Sequence, residues 1–178
     1  MTTYFTNKFN IKSTHPLHRW LILTVLMALS ACSEKMVPAA IEGYNHMPYW
    51  AIAGFSVNGG SGFNLDPGGG GGSQTCCVLL PERWHPGLKA KIAWRYDTDQ
   101  GGPTPPPPQS AEVEIPEYRS EDISHLDVHF FPNHKVKVVV THYGLGHANY
   151  PKINDAEFDA VVKKWNNDYE NFRKGVTP

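Results

Sequence analysis

Two histidines and an aspartate are spaced as though to share a task. His125, Asp127 and His129 recur at every second position of Ser124-His-Leu-Asp-Val-His-Phe-Phe131. In an extended strand, residues two apart point to the same side. Two imidazoles and a carboxylate there, with His142 or His147 brought near, would make a nitrogen and oxygen set suited to a divalent metal. A half-buried strand produces the same pattern for a simpler reason, because alternation places polar side chains on its solvated face. No His-Glu-x-x-His helix or cysteine ligand set accompanies the motif, so a solvated face is expected, with no metal and no cofactor.

Nucleophilic chemistry is framed no better. Gly59-Gly60-Ser61-Gly62 does not complete Gly-x-Ser-x-Gly and lacks a strand-to-helix elbow. The run Gly68–Gly72 is not followed by Gly-Lys-Ser/Thr, which a phosphate loop requires. Glu112 and Glu114 share a strand face as ordinary solvated carboxylates. The chain is therefore not expected to be an enzyme. Cys76 and Cys77 are adjacent and lack the Cys-x-x-Cys spacing of redox and metal motifs. Three readings stand for them: buried reduced thiols on a strand, a vicinal disulfide whose strained ring staples no loop, or, least supported by the spacing, metal or redox work.

The elements that carry these residues are mostly strands. Tyr49–Val57, Thr75–Leu80, Lys89–Tyr96 and Ala111–Ile115 are aromatic, β-branched or alternating runs bounded by glycine and proline. Ser124–Phe131 and Lys135–Thr141 flank Pro132-Asn133-His134, which predicts a hairpin with Leu126, Val128 and Phe130 on one face. Between Asn58 and Gln74 glycine is so frequent that a long surface loop is expected. Pro105–Pro108 predicts an exposed polyproline connector. At the end, Phe158, Val161, Val162, Trp165, Tyr169 and Phe172 recur at spacings of three and four, which predicts an amphipathic helix. Asn154 would cap it, Glu157 would complete a capping box and Gly175 would follow its end. Lys163, Lys164, Asn167 and Glu170 would face away. A lone amphipathic helix needs a sheet to cover, so the expected fold is α+β: a mainly antiparallel β-sheet with long Gly/Pro loops and one C-terminal helix packed on it.

Composition sets the class. The 178 residues, 40% of them hydrophobic and 19% charged, suit one globular domain. A formal charge of -1 gives no basic field, which disfavours nucleic acid as a partner. The sequence begins with Lys8, Lys12 and Arg19, followed by the apolar stretch Trp20–Leu29 and then Ser30-Ala31-Cys32. That order is the order of a secretory signal, too short in its apolar part to span a bilayer. Leu29-Ser30-Ala31-Cys32 resembles the bacterial lipobox, which implies that Cys32 carries the lipid (diacylglycerol and a further acyl chain such as palmitate). No Asp follows Cys32, and by resemblance to enterobacterial sorting this implies the periplasmic side of the outer membrane. Residues 1–31 are thus expected to be a lipoprotein signal peptide, 32–48 a tether and 49–178 one globular domain. Without the leader, 13 basic residues face 17 acidic ones, a charge of -4.

A set of short segments then falls in a telling order. Gly43-Tyr44-Asn45-His46 comes first, then Phe55-Ser56-Val57-Asn58-Gly59 and Gly70-Gly71-Gly72 ahead of Cys76-Cys77-Val78. Leu80-Pro81 with Trp84-His85-Pro86-Gly87-Leu88, Val128-His129-Phe130-Phe131-Pro132 and His147-Ala148-Asn149-Tyr150-Pro151 follow. With the lipobox, the set resembles an uncharacterised family of short Gram-negative lipoproteins. Its members are often encoded beside type VI secretion lipase effectors and are regarded as their immunity proteins. The resemblance implies a membrane-tethered inhibitor of a cognate phospholipase or lipase, and it brings no catalytic residues. The surface expected to meet such a partner comprises Gly59, Gly60, Ser61, Phe63, Trp84 and His85. Tyr44, Trp50 and Trp84 stand either as interface anchors or as core. The alternative is an envelope lipoprotein with no toxin partner, holding a small ligand in a pocket of Tyr44, His46 and Trp50 or assisting envelope assembly.

Overall fold

The computed structural model describes residues 34–98 and 103–174, with no account of the side chains of residues 98, 168–170, 172 and 173. The leader, Cys32 and Gly175 lie outside the described residues, as do the side chains of Tyr169, Glu170 and Phe172. Among the described residues, eight strands are followed by one α-helix. They are β1 (Met36–Asn45), β2 (Trp50–Val57), β3 (Gly60–Gly62), β4 (Thr75–Pro81), β5 (Lys89–Thr98), β6 (Gln109–Glu114), β7 (His125–Phe131) and β8 (Lys135–Thr141), then α1 (Ala156–Arg173).

The α+β class holds, but the strands divide into two sheets rather than one. The first has the order β4-β1-β7-β8 and the second β3-β2-β5-β6. Every neighbouring pair is antiparallel except β1 and β7, which run parallel. One face of each sheet feeds a shared core. Ile41, Leu126, Val128 and Phe130 from the first meet Phe55 and Trp94 from the second. Each such side chain, once fully buried, contributes about 2 kcal/mol of transfer free energy. The helix covers the other face of the first sheet, where Phe158 and Val162 join Phe131, Val139 and Tyr150 in a second cluster. Among described residues no helix is long and apolar enough to cross a membrane.

The segment expected to be a tether is instead the strand β1, with β4 on one side and β7 on the other. Ala39 and Ile41 are fully buried. Gly43 lies so close beneath Phe55 and Leu65 that a β-carbon would come within 2.9 Å of both. Pro38 is tolerated because pairing with β7 begins only at Ala40, so β1 is still an edge on that side.

The glycine-rich segment is likewise less of a loop than expected. It forms a tight hairpin into β3, and then Leu65 bridges to Ile52 and enters the core. Further on, Gly70 bridges to Tyr44. At φ +141 a β-carbon on Gly70 would sit 2.5 Å from the Gly43 carbonyl oxygen, so only glycine lets this strap lie against β1.

The predicted β7–β8 hairpin is present, with Asn133 and His134 in the left-handed region at its turn. The helix is capped one residue later than expected. Asn154 has a positive φ of 52°, and the Asp155 carboxylate accepts the Phe158 N–H at 3.0 Å. Glu157 completes no capping box. It meets Lys135 of β8 at 2.9 Å, while Lys137 pairs with Asp155.

Candidate functional site

Register brings the polar residues together. In the parallel pair, Ala40 lies beside His125, Glu42 beside Asp127 and Tyr44 beside His129. All point away from the shared core, toward the helix. The solvated face expected for β7 is therefore overturned: Asp127 and His129 are 0% exposed, and His125, Glu42 and Tyr44 are buried with them. Alternation correctly placed the three residues on one side. What it could not show is that this side is roofed. Phe158 of α1 packs edge-on against His129, Trp165 against Tyr44, and Tyr150 closes over the strand from the segment before the helix.

The hydrogen bonds form one connected chain with a definite proton order. His125 Nδ1 lies 2.6 Å from one Asp127 carboxylate oxygen, and the Tyr150 hydroxyl donates to the other at 2.6 Å. Because that hydroxyl proton is committed to Asp127, His129 Nε2–H must donate to the Tyr150 oxygen at 2.8 Å. His129 Nδ1 is then an acceptor, and His46 Nε2–H donates to it at 2.9 Å. Both of these imidazoles are neutral, their rings stacked nearly parallel at 5.2 Å. A relay thus runs from the buried His125–Asp127 pair to the partly exposed His46.

Glu42 is held by donors alone. The Tyr44 hydroxyl at 3.1 Å and the Gly72 N–H at 2.8 Å share one oxygen, and Gln74 Nε2 reaches the other at 2.8 Å. The glycine strap therefore closes the cluster from the β1 side with backbone and amide donors. His125 Nδ1 also lies 3.8 Å from Glu42.

Burial and neighbouring charge tune these groups in different directions. Burial pushes the Asp127 carboxyl above its ordinary range, against the bonds from His125 and Tyr150 that favour its charge. Burial also resists charge on His125, yet the bond and charge of Asp127, with Glu42 behind, hold it above the ordinary imidazole value. His129 falls well below that value, by burial and then by His46, and burial alone brings His46 down to about 4. The Tyr44 and Tyr150 hydroxyls are raised by burial and by the carboxylates, so both stay protonated donors. The arrangement can hold a proton or a cation at one end and pass a proton toward the other. Glu42, His125 and Asp127 offer three ligand atoms within 4.8 Å of one another.

The other sequence-derived candidates are dispersed. His142 faces Asp122 at 3.4 Å and His147 stacks on Tyr143, so neither joins the cluster. Tyr44 and His46 belong to it, whereas Trp50 packs on Tyr96, and the expected pocket of those three is not formed. Asn58 and Gly59 make the β2–β3 turn and Gly60 opens β3, with Ser61 and Phe63 exposed beside it. Trp84 is no loop anchor, since its indole N–H donates inward to the Ile115 carbonyl at 2.8 Å and its ring packs on the core. His85 is exposed. Cys76 and Cys77 are joined by a disulfide, with Cys76 exposed and Cys77 half-buried, which removes the buried-thiol reading.

Glu42, Gln74 and Tyr150 were not among the sequence candidates. A signal existed for the first: Glu42, Tyr44 and His46 alternate with Ile41, Gly43 and Asn45, a strand period inside the supposed tether.

Residues 44–138 match a family described as "Protein of unknown function (DUF3304)". No curated protein and no solved structure matches the chain. The match covers more than half of the sequence, and the chain belongs to this family.

Proposed function

For this member of the DUF3304 family, we propose the role of a membrane-tethered immunity lipoprotein. It is anchored through Cys32 at the periplasmic side of the outer membrane, and it binds and inhibits a lipase delivered by a type VI secretion system. The leader and lipobox support the address, and the ordered motifs from Gly43 to Pro151 support the role. An acyl anchor suits it, since an inhibitor of a lipid-degrading enzyme is useful at the surface under attack, and several chains on one cysteine hold firmly where a single chain does not.

The observation that carries the binding part is the exposed surface beside β3. β3 is a three-residue edge strand, and Phe63 just beyond it is 47% exposed. Beside it lies a shallow depression of about 520 Å³, lined by Gly54, Ser56, Ser61, Gly62 and Arg95. An exposed aromatic next to a groove is what a protein partner can seat on. Trp84 leaves the surface proposed from sequence, and Gly59, Gly60, Ser61, Phe63 and His85 stay in it. The test is to express the chain with the lipase encoded beside it. Complex formation on co-purification and rescue of lipase-poisoned cells are expected, with Phe63→Asp weakening the complex at least tenfold. Absence of a complex together with unchanged killing would end the proposal.

A further inference from the structure

We propose that Glu42, His125 and Asp127 form a site for one divalent transition cation, zinc before others, between the first sheet and the strap from Gly70 to Gln74. The site goes beyond the immunity role, which stands or falls without it.

Geometry is the first argument. His125 Nδ1 is 2.6 Å from Asp127 Oδ1 and 3.8 Å from Glu42 Oε2. Zinc bonds of about 2.0–2.2 Å at a tetrahedral angle set neighbouring ligand atoms about 3.4 Å apart, between those two values. A shared ion therefore needs only small side-chain shifts.

Charge is the second argument. Both carboxylates are buried, and the hydrogen-bond donors to Glu42 are a tyrosine hydroxyl, a backbone N–H and a primary amide, all neutral. Asp127 receives a neutral hydroxyl from Tyr150. His125 is the one basic side chain in contact with both carboxylates among the described residues. Two buried carboxylates thus face at most one positive imidazole, and buried charge is stable when paired or when it ligates a metal. A third feature is the supporting layer. Tyr44, Gly72 and Gln74 fix Glu42, and Tyr150 fixes Asp127, as outer partners do for metal-ligating carboxylates. One imidazole with two carboxylates suits zinc, a borderline ion that takes nitrogen and oxygen ligands, ahead of the harder manganese. Calcium is disfavoured because it takes six to eight oxygens.

The experiment uses the mature chain, stripped with EDTA, dialysed and reloaded with zinc chloride or manganese chloride. Elemental analysis should return one zinc per chain. Reloading should raise Tm by several degrees and slow amide exchange in Gly70–Gln74, whose Gly72 N–H rests on Glu42. Glu42→Gln and His125→Gln should lower zinc affinity at least tenfold, while His142→Gln, outside the cluster, should not. The wild-type comparison of stripped with reloaded protein needs no variant, so a substitution that fails to fold leaves a decisive readout. A folded, stripped chain that takes up neither ion at micromolar concentration, with Tm unchanged, would overturn the site. Unaltered zinc binding in both folded ligand variants would do the same.

Discussion

The two faces of β7 are equally dry and chemically opposite. Leu126, Val128 and Phe130 enter the core between the sheets, where nothing but shape has to be matched. His125, Asp127 and His129, on the alternate positions, enter a layer in which each polar group must find a partner. Burial on the first face is favourable from the outset. On the second it is tolerable only because Glu42, Tyr44, Tyr150 and His46 complete the bonds. One strand therefore supplies both the fold's adhesion and its chemistry, and substitutions on its two sides should fail in different ways.

The largest effect is expected on the apolar side. Phe130→Ala should cost about 4 kcal/mol by lost transfer energy and an unfilled cavity, measured as a lower urea midpoint with m unchanged. That loss should not vary with pH.

The polar side should be sensitive to acid. His46 titrates at about 4 in the folded chain against 6.5 as an ordinary imidazole. Between those values the unfolded state binds more protons. The stability His46 contributes is thus full above about pH 6.5, falls as pH drops, and levels off below about pH 4. At 1.36 kcal/mol per pKa unit and allowing for partial exposure, the loss is about 2 kcal/mol. Urea unfolding from pH 7 to 4 should show this slope, and His46→Gln should reduce it to the part that His129 contributes. An equal slope in that variant would mean that burial does not hold His46 neutral.

A milder cut divides the relay in the middle. Tyr150→Phe keeps the ring on Phe158 but removes the hydroxyl between Asp127 and His129, which should cost about 1–2 kcal/mol. The smallest effect belongs to the exposed pair that ties the helix to β8. Lys135→Ala, which breaks the contact to Glu157, should change stability by less than about 0.5 kcal/mol.

The same contrast explains what could be read from the residues alone. The β7–β8 hairpin was legible because both strands alternate and the turn is marked by Pro132. The helix was legible from its apolar spacing, and its cap was misplaced by one residue because Asn154 and Asp155 are equally good capping types. β1 was missed. Pro38, Ala39, Ala40 and Gly43 give it low strand propensity, and what makes it a strand is the neighbours on both sides, a tertiary effect. With β1 went Glu42, and hence the half of the cluster that faces His125. The pattern of His125, Asp127 and His129 was seen, but a face roofed by a helix and a face open to water share one alternation.

The parallel pairing of β1 with β7 also governs timing. Ala40 can meet His125 only after more than eighty intervening residues have been made, and β1 then lies between a strand from the middle of the chain and one from its far end. Such distant contacts carry a large loop-closure entropy before they yield any packing, which makes folding slow. The polar layer is built across this join, so a chain cut short before His125 cannot acquire it.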